Sequence, residues 1–307
     1  MGRSIAQKTS LTTMPNANRR GKPVLIKETP PINRVIAHSP IQAMGRRTRW
    51  RPILMACFFE GAEEELLPCV VKARRHEQLP ESTAACVSEL ICGTLLRSTE
   101  IECVKPLLVE ISADLAGDLS REFGYTPVEG LHFGSHYIHP AASRVPSDAN
   151  LKNPSDLAGI WYFDNWVYNN DRANPGNLIF AQREDWRVVA IDHSDCFGGS
   201  GRLASDNLRS RALRWTDPVE VGTGFPDLLG PAIAANLRDT GRVMVRPARA
   251  AVEPALNAIP DEWWRVLTNG PADIASFLEQ RWRPLYDWLK DWDDLGDMLS
   301  KGTIINV

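Results

Sequence analysis

The sequence predicts an α+β protein in two parts: an antiparallel, β-rich N-terminal part over residues 31–140 and a mainly helical C-terminal part over 141–307. Three observations carry this. Four short apolar runs rich in β-branched residues lie before residue 112. One helical pattern separates the third run from the fourth, and the texture turns helical and aromatic at Pro154.

The four runs are Arg34–Ala37, Pro52–Phe59, Cys69–Ala73 and Lys105–Ile111, each bounded by Pro, Gly or charged residues, as strands of a sheet are. Between the last two, STAACVSELICGTLLR places apolar residues at 84, 87, 91 and 95, the spacing of a helix over Ser82–Arg97, with Ser82 or Thr83 as its cap. From Pro154, PSDLAGIWYFDNWVYNN reads as a second helix capped by Ser155, broken by DRANPGN. Two strands follow, Leu178–Ala181 and Arg187–Asp192, joined by the polar turn QRED, and a tryptophan-rich helix is expected near Ile274–Lys290. Residues 1–30 are polar, basic and aperiodic, and read as a flexible arm.

Composition narrows the classes. A chain of 307 residues, 43% hydrophobic and 24% charged, is long enough for one large core or two parts sharing a cleft. A formal net charge of −3 gives no general attraction to nucleic acid or anionic membranes. The arginine–tryptophan stretch GRRTRWR (45–51) is short and equally suits a phosphate-facing loop. No apolar run is long enough to span a membrane, and six cysteines without C-x-x-C spacing suit reduced thiols in a cytoplasmic setting. Most of the ten tryptophans, including 161, 166, 263, 264, 282 and 288, are expected in the core.

The chemistry-bearing residues form two groups. Lys72 lies in the third strand among apolar neighbours, and Glu89 follows in the helix seventeen positions on. A strand lysine held by a helix glutamate is one way to place a cation against phosphate oxygens. Taken singly, the two would suit a strand end and a wet helix face just as well. Asp171 and Asn177 share a short loop between helix and strand, and Asp192 closes the following hairpin. An aspartate can accept a hydroxyl proton, while an asparagine carbonyl and a second aspartate are hard oxygen ligands suited to Mg²⁺. Asn174 competes with Asn177 for the ligand's place.

FDNWVYNNDRANPGNLIF followed by VVAIDHSDCF resembles the HipA-like kinase family, which in this region is similar to phosphoinositide 3-/4-kinases. CVVKARRHEQLPESTAACVSELICGTLLR and LHFGSHYI resemble further segments of that family, and the likeness spans roughly residues 33–200, with a looser echo at IPDEWW (259–264). It implies a two-lobed protein-kinase-like fold and an ATP- and Mg²⁺-dependent phosphotransferase acting on a hydroxyl acceptor, a protein Ser/Thr in the first place or else a small molecule. It implies Asp171 as catalytic aspartate, Asn177 and Asp192 as metal ligands, Lys72 on the α- and β-phosphates with Glu89 orienting it, and HYIHP (136–140) as the hinge receiving adenine. An antitoxin-like regulator would be a partner by the same analogy. The chain departs from the family at three points: six positions separate Asp171 from Asn177 where five are usual, Ala173 stands where a histidine is common, and the phosphate-covering loop offers only Gly45.

Two other readings compete. A nucleotide-binding relative without transfer activity, serving as an interaction module, is favoured by the altered loop and glycine-poor cover. A metal-dependent hydrolase is suggested by His132 and His136 in LHFGSHYIHP together with Asp192, His193 and Asp195; on a strand the two histidines would share a face.

Overall fold

The computed structural model describes residues 31–44, 52–124, 126–139, 141–142, 151–172, 174–182, 185–199, 202–205, 208 and 248–288. Expectations placed on 1–30, 45–51 and Ala173 lie outside the described residues.

The protein is mixed α+β. Strands β1 (Asn33–Ala43), β2 (Ile53–Phe58), β3 (Leu67–Lys72), β4 (Pro106–Ile111) and β5 (Gly130–His136) form one sheet in the order β1-β2-β3-β5-β4. The expectation of a purely antiparallel sheet is corrected here: β1 also pairs with β4 in parallel, Asn33–Ile36 against Leu107–Glu110, and this closes the sheet into a barrel. The cause lies in β1, whose pairing with β2 shifts register between Ala37 and Ser39 and again between Pro40 and Gln42. Such irregularities bend a strand, so one half can follow β2 while the other leaves it for β4.

Alternate residues point inward: Val35, Ile53, Met55, Cys57, Cys69, Val71, Leu107 and Val109 form the barrel interior. Gly134 on β5 has no alternative there, because an added Cβ would lie 2.3 Å from Val109 Cγ2. A helix absent from the sequence reading, α2 (Ala113–Phe123), adds Leu115, Ala116 and Leu119 to this interior. Its markers were present: Ser112 accepts a hydrogen bond from Leu115 N, and Gly124 ends it at φ 73°.

Helix α1 (Leu79–Arg97) begins three residues before the expected start, with Pro80 in its first turn. Ser82 and Thr83 are therefore not caps. Ser82 Oγ donates to Gln78 O (2.7 Å) and accepts from Arg75 N (2.9 Å). Every residue from Ser82 to Leu96 is buried, since α1 packs on β4 and β5 and also on α4 (Val252–Asn257) and the 3₁₀ turn Arg202–Ala204. A helix buried around its whole circumference has no wet face, so Glu89 does not lie on one.

Helix α3 (Ser155–Val167) follows Pro154 without a side-chain cap, so Ser155 is its first residue rather than its cap. A second sheet joins β6 (Ala141–Ala142), which precedes α3, to β7 (Leu178–Gln182) and β8 (Trp186–Ala190), which follow it; α5 (Asp261–Trp264) and α6 (Pro271–Trp288) come later in the chain. The larger core gathers Trp161, Trp166, Trp263 and Trp282 with Phe197 and Phe277; Trp264 packs against it partly buried. The side chain of Trp288 lies outside the described residues. All six cysteines are free, and all but Cys103 are buried. No helix among the described residues is long and apolar enough to cross a membrane.

His132 on β5 ties the segment after β3 to the segment before β5. Its Nδ1 accepts from Arg74 N and its Nε2 donates to Val128 O, both at 2.9 Å, with no exposed surface. Burial, helped by the nearby Arg74 charge, lowers its pKa from 6.5 to about 3. With both nitrogens bonded to backbone, His132 is removed from the proposed histidine metal pair. As pH falls below 6.5 the unfolded chain takes up a proton that the folded chain refuses until about pH 3, so stability is lost across that window. His132→Leu should cost about 2 kcal/mol at pH 7, by stranding two buried backbone groups. The variant should also lose stability less steeply than wild type between those pH values, as read by urea unfolding; an unchanged acid slope would contradict a buried neutral His132.

Candidate functional site

Lys72 ends β3 where the barrel meets α1, and Glu89 faces it from the second turn past the buried start of that helix. Lys72 Nζ donates to Glu89 Oε1 and also to Asp192 Oδ1 at 2.7 Å. The side chains are 13%, 4% and 33% exposed respectively, so the cluster is sheltered but open at Asp192. Burial by itself would lower the lysine's pKa, but the two carboxylates outweigh it and hold the ammonium charged. Burial would likewise raise Asp192, but the Lys72 charge and bond, with the hydroxyl of Ser194 at 2.6 Å, bring it well below the usual carboxylate range. Glu89 goes the other way: burial raises it more than Lys72 lowers it, and the Asp192 charge adds to the rise. One cation thus serves two carboxylates, and the more deeply buried of them is the less well compensated.

Asp192 lies two residues past β8 with φ 56°, a left-handed conformation uncommon for a residue with a Cβ. The turn brings the next residue, His193, back under α1. His193 is 3% exposed, with Nδ1 3.9 Å from Glu89 Oε2 and Nε2 3.0 Å from an Arg172 terminal nitrogen.

Arg172 organises the loop between α3 and β7. Its guanidinium donates to both carboxylate oxygens of Asp164 (2.8 and 3.2 Å), to Ile191 O (2.6 Å) and to Asn177 O. Both side chains of the Arg172–Asp164 pair are fully buried. Asn169 donates to Asp164 Oδ1 at 3.0 Å and accepts from Asp171 N at 3.2 Å, which sets the start of the loop. Asp171 stands half-buried beside Asn177, whose Nδ2 donates to Asp171 Oδ2 (2.7 Å) and to its carbonyl (2.9 Å). Burial raises the Asp171 pKa; the Asn177 bond opposes this, and the charges of Asp195 and Asp192 add to it. Asn174 is exposed, and its side-chain oxygen accepts from Gly176 N at 3.1 Å, shaping the short turn Pro175–Asn177.

All five residues singled out from sequence therefore come together: Lys72, Glu89 and Asp192 in direct contact, and Asp171 and Asn177 beside them through Arg172 and Ile191. The residues the sequence reading missed are the buried supports Asp164, Asn169 and Ser194, while His193, read there as a candidate metal ligand, is buried beside Arg172 and Glu89. Asp164 and Arg172 had a signal, an acid and a base eight positions apart around a predicted helix end, but nothing in their spacing announces burial.

A cavity of about 390 Å³ adjoins the cluster. Val70 and Phe133 from the barrel, Ile179 from the second sheet and Ile191 just past β8 give it apolar walls, with Lys72, Glu89 and Asp192 among its polar lining. His136, Tyr137 and Ile138 border it too; the His136 and Tyr137 amides are bonded to Lys105 O and Pro68 O. An apolar cavity with a lysine and a carboxylate in its lining is a kind of site that a nucleobase followed by phosphates would suit. Among the described residues no three His, Cys, Asp or Glu side chains converge as a ready-made metal cage. Asn177 and Asp192 are a hard-oxygen pair of the kind Mg²⁺ takes when nucleotide phosphates and water complete its shell, so the donors fit that ion.

Residues 70–206 match the family described as HipA-like kinase. This shows the resemblance read from the sequence and supports a kinase-type phosphotransferase at the level of the family. No curated protein matches the chain significantly.

The Asp164–Arg172 pair generates a stability prediction. Asp164→Ala leaves a buried guanidinium without its carboxylate and should cost about 3–5 kcal/mol in urea or thermal unfolding. The double variant Asp164→Leu/Arg172→Met should recover most of that loss; equal instability of both would show that the charge is not what makes the single variant fail.

Proposed function

We propose, taking as premise that residues 70–206 are HipA-like kinase in kind, that the protein transfers the γ-phosphate of ATP, with Mg²⁺, to a hydroxyl of protein serine or threonine. The observation that carries this reading is the convergence of Lys72, Glu89 and Asp192 at the polar end of an apolar cavity, with Asp171 and Asn177 adjoining. The reading is of a two-lobed kinase-like molecule, divided as 31–140 and 141–307 with 1–30 as an arm, the nucleotide lying between the closed sheet and the second sheet.

In this mechanism the adenine lies between Val70, Phe133, Ile179 and Ile191. With two hinge amides already committed, Ile138 offers its backbone to the base. Lys72 leaves Asp192 for the α- and β-phosphates while Glu89 keeps its direction. Asn177 and Asp192 hold Mg²⁺, which when bound neutralises charge on the phosphate oxygens. Asn177 fits this role better than Asn174, because it is buried beside Asp171 while Asn174 is exposed and bonded within its own turn. Asp171 receives the acceptor's proton; its raised pKa makes it a better base than an exposed carboxylate. The Asn177 bond to Oδ2 leaves Oδ1 to face the hydroxyl.

The acceptor's identity and an antitoxin-like regulator follow from the family analogy, as does a cytoplasmic setting. A nucleotide-binding module without transfer is the second reading, favoured by the altered loop, in which six positions separate Asp171 from Asn177, and by the glycine-poor cover. Incubation with radiolabelled ATP, alone and with lysate, separates the two.

Asp171→Asn should keep nucleotide affinity within about threefold by calorimetry and lose phosphate transfer at least a hundredfold. Asp192→Asn should instead weaken Mg²⁺-dependent nucleotide binding itself. Transfer at the wild-type rate by Asp171→Asn would remove the base assignment.

A further inference from the structure

His193 sits where the two halves of the site meet. From one side an Arg172 terminal nitrogen approaches its Nε2 at 3.0 Å; from the other, Glu89 Oε2 stands 3.9 Å from its Nδ1. Phe163 meets the ring edge-on at a centroid distance of 5.7 Å, and the side chain is 3% exposed. A guanidinium has only N–H groups to offer and keeps its protons at any working pH. The nitrogen facing it must therefore be the bare one. This fixes the ring as neutral, with its proton on Nδ1, directed at the carboxylate that Lys72 also holds.

We propose that His193 is a positioning residue, a neutral imidazole whose Nε2 accepts from Arg172 while Nδ1–H faces Glu89, coupling the loop that carries Asp171 and Asn177 to the Lys72–Glu89 pair. Arg172 already binds the carbonyls of Asn177 and Ile191, so the fourth direction of its fork, toward His193, fixes its roll about the Asp164 axis. Without that acceptor a buried N–H loses its partner, and the guanidinium can turn, carrying Asn177 with it. Lys72, Glu89 and the metal ligand Asp192 would keep their contacts, so nucleotide binding is affected less than transfer, which also needs the Asp171 that Asn177 bonds. Unlike Asp171 or Asp192, His193 touches neither phosphate nor acceptor in this scheme.

The kinetic part of this inference rests on the phosphotransferase reading, whereas the tautomer does not. His193→Phe keeps the ring against Phe163 but removes both nitrogens. It should lower kcat ten- to a hundredfold with the KM for ATP changed by less than about threefold. Gln can place an acceptor where Nε2 was, and Asn can place only a donor near the Nδ1 position. His193→Gln should therefore recover most of kcat while His193→Asn stays near the Phe variant. In ¹⁵N spectra of the wild-type protein at neutral pH, His193 should show a protonated Nδ1 and an unprotonated Nε2. A proton on Nε2, an unaltered kcat in His193→Phe, or equal loss in the Gln and Asn variants would each overturn the proposal. Wild-type protein that transfers no phosphate yet shows the expected tautomer would sink the phosphotransferase reading alone and leave the hydrogen-bond assignment standing.

Discussion

The site depends on one buried ion pair. Arg172 and Asp164 are both fully removed from solvent, and a charge in such a place is tolerable only with its partner and its remaining donors satisfied. Satisfying the guanidinium recruits the carbonyls of Asn177 and Ile191 and the ring of His193. These groups come from the loop, the end of the second sheet and the turn past it. Their positions relative to one another are therefore set by the needs of a single side chain. The need to neutralise and saturate Arg172 brings Asn177 and Asp192 to the same place, whatever they later bind.

The other half of the site is held by burial. Helix α1 is covered on every side, so Glu89 cannot swing into water without unpacking a helix that lies between the barrel and α4. Lys72 has the opposite circumstance: it sits at the end of its strand, next to a cavity, with two carboxylates to choose from. A fixed glutamate and a movable ammonium suit a group that must exchange one anionic partner for another. The left-handed backbone of Asp192 presents a carboxylate to that ammonium and still returns His193 to the interior.

Much of this was legible from sequence. The strand runs were found because apolar β-branched residues between turn formers have few other uses, and the five site residues because their types and order suit phosphate chemistry. The family match over 70–206 agrees with the resemblance seen in the same motifs. Less was legible where the determinants are not local. Helix α2 escaped despite a serine cap and a glycine stop, because only three of its eleven residues are buried, with Phe123 packed partly buried beside them. The start of α1 was misplaced because Ser82, a good cap by type, spends its hydroxyl on Gln78 and Arg75 instead. His132, read as a candidate ligand, has both nitrogens committed to the backbone, which only the folding of β5 against the segment after β3 reveals.

The sequence by itself determined four strands of the closed sheet, helices α1, α3 and α6, the β7–β8 hairpin and the candidate roster of Lys72, Glu89, Asp171, Asn177 and Asp192, since periodicity and side-chain chemistry are properties of the chain. Only the tertiary structure decided the closure of the barrel through β1 and β4, the choice of Asn177 over Asn174 as the buried neighbour of Asp171, and the presence of Asp164 and His193 behind the site. The reason is physical. Burial and the pairing of distant groups belong to the packed whole, and a carboxylate's or imidazole's role changes with what surrounds it more than with what precedes it in the chain.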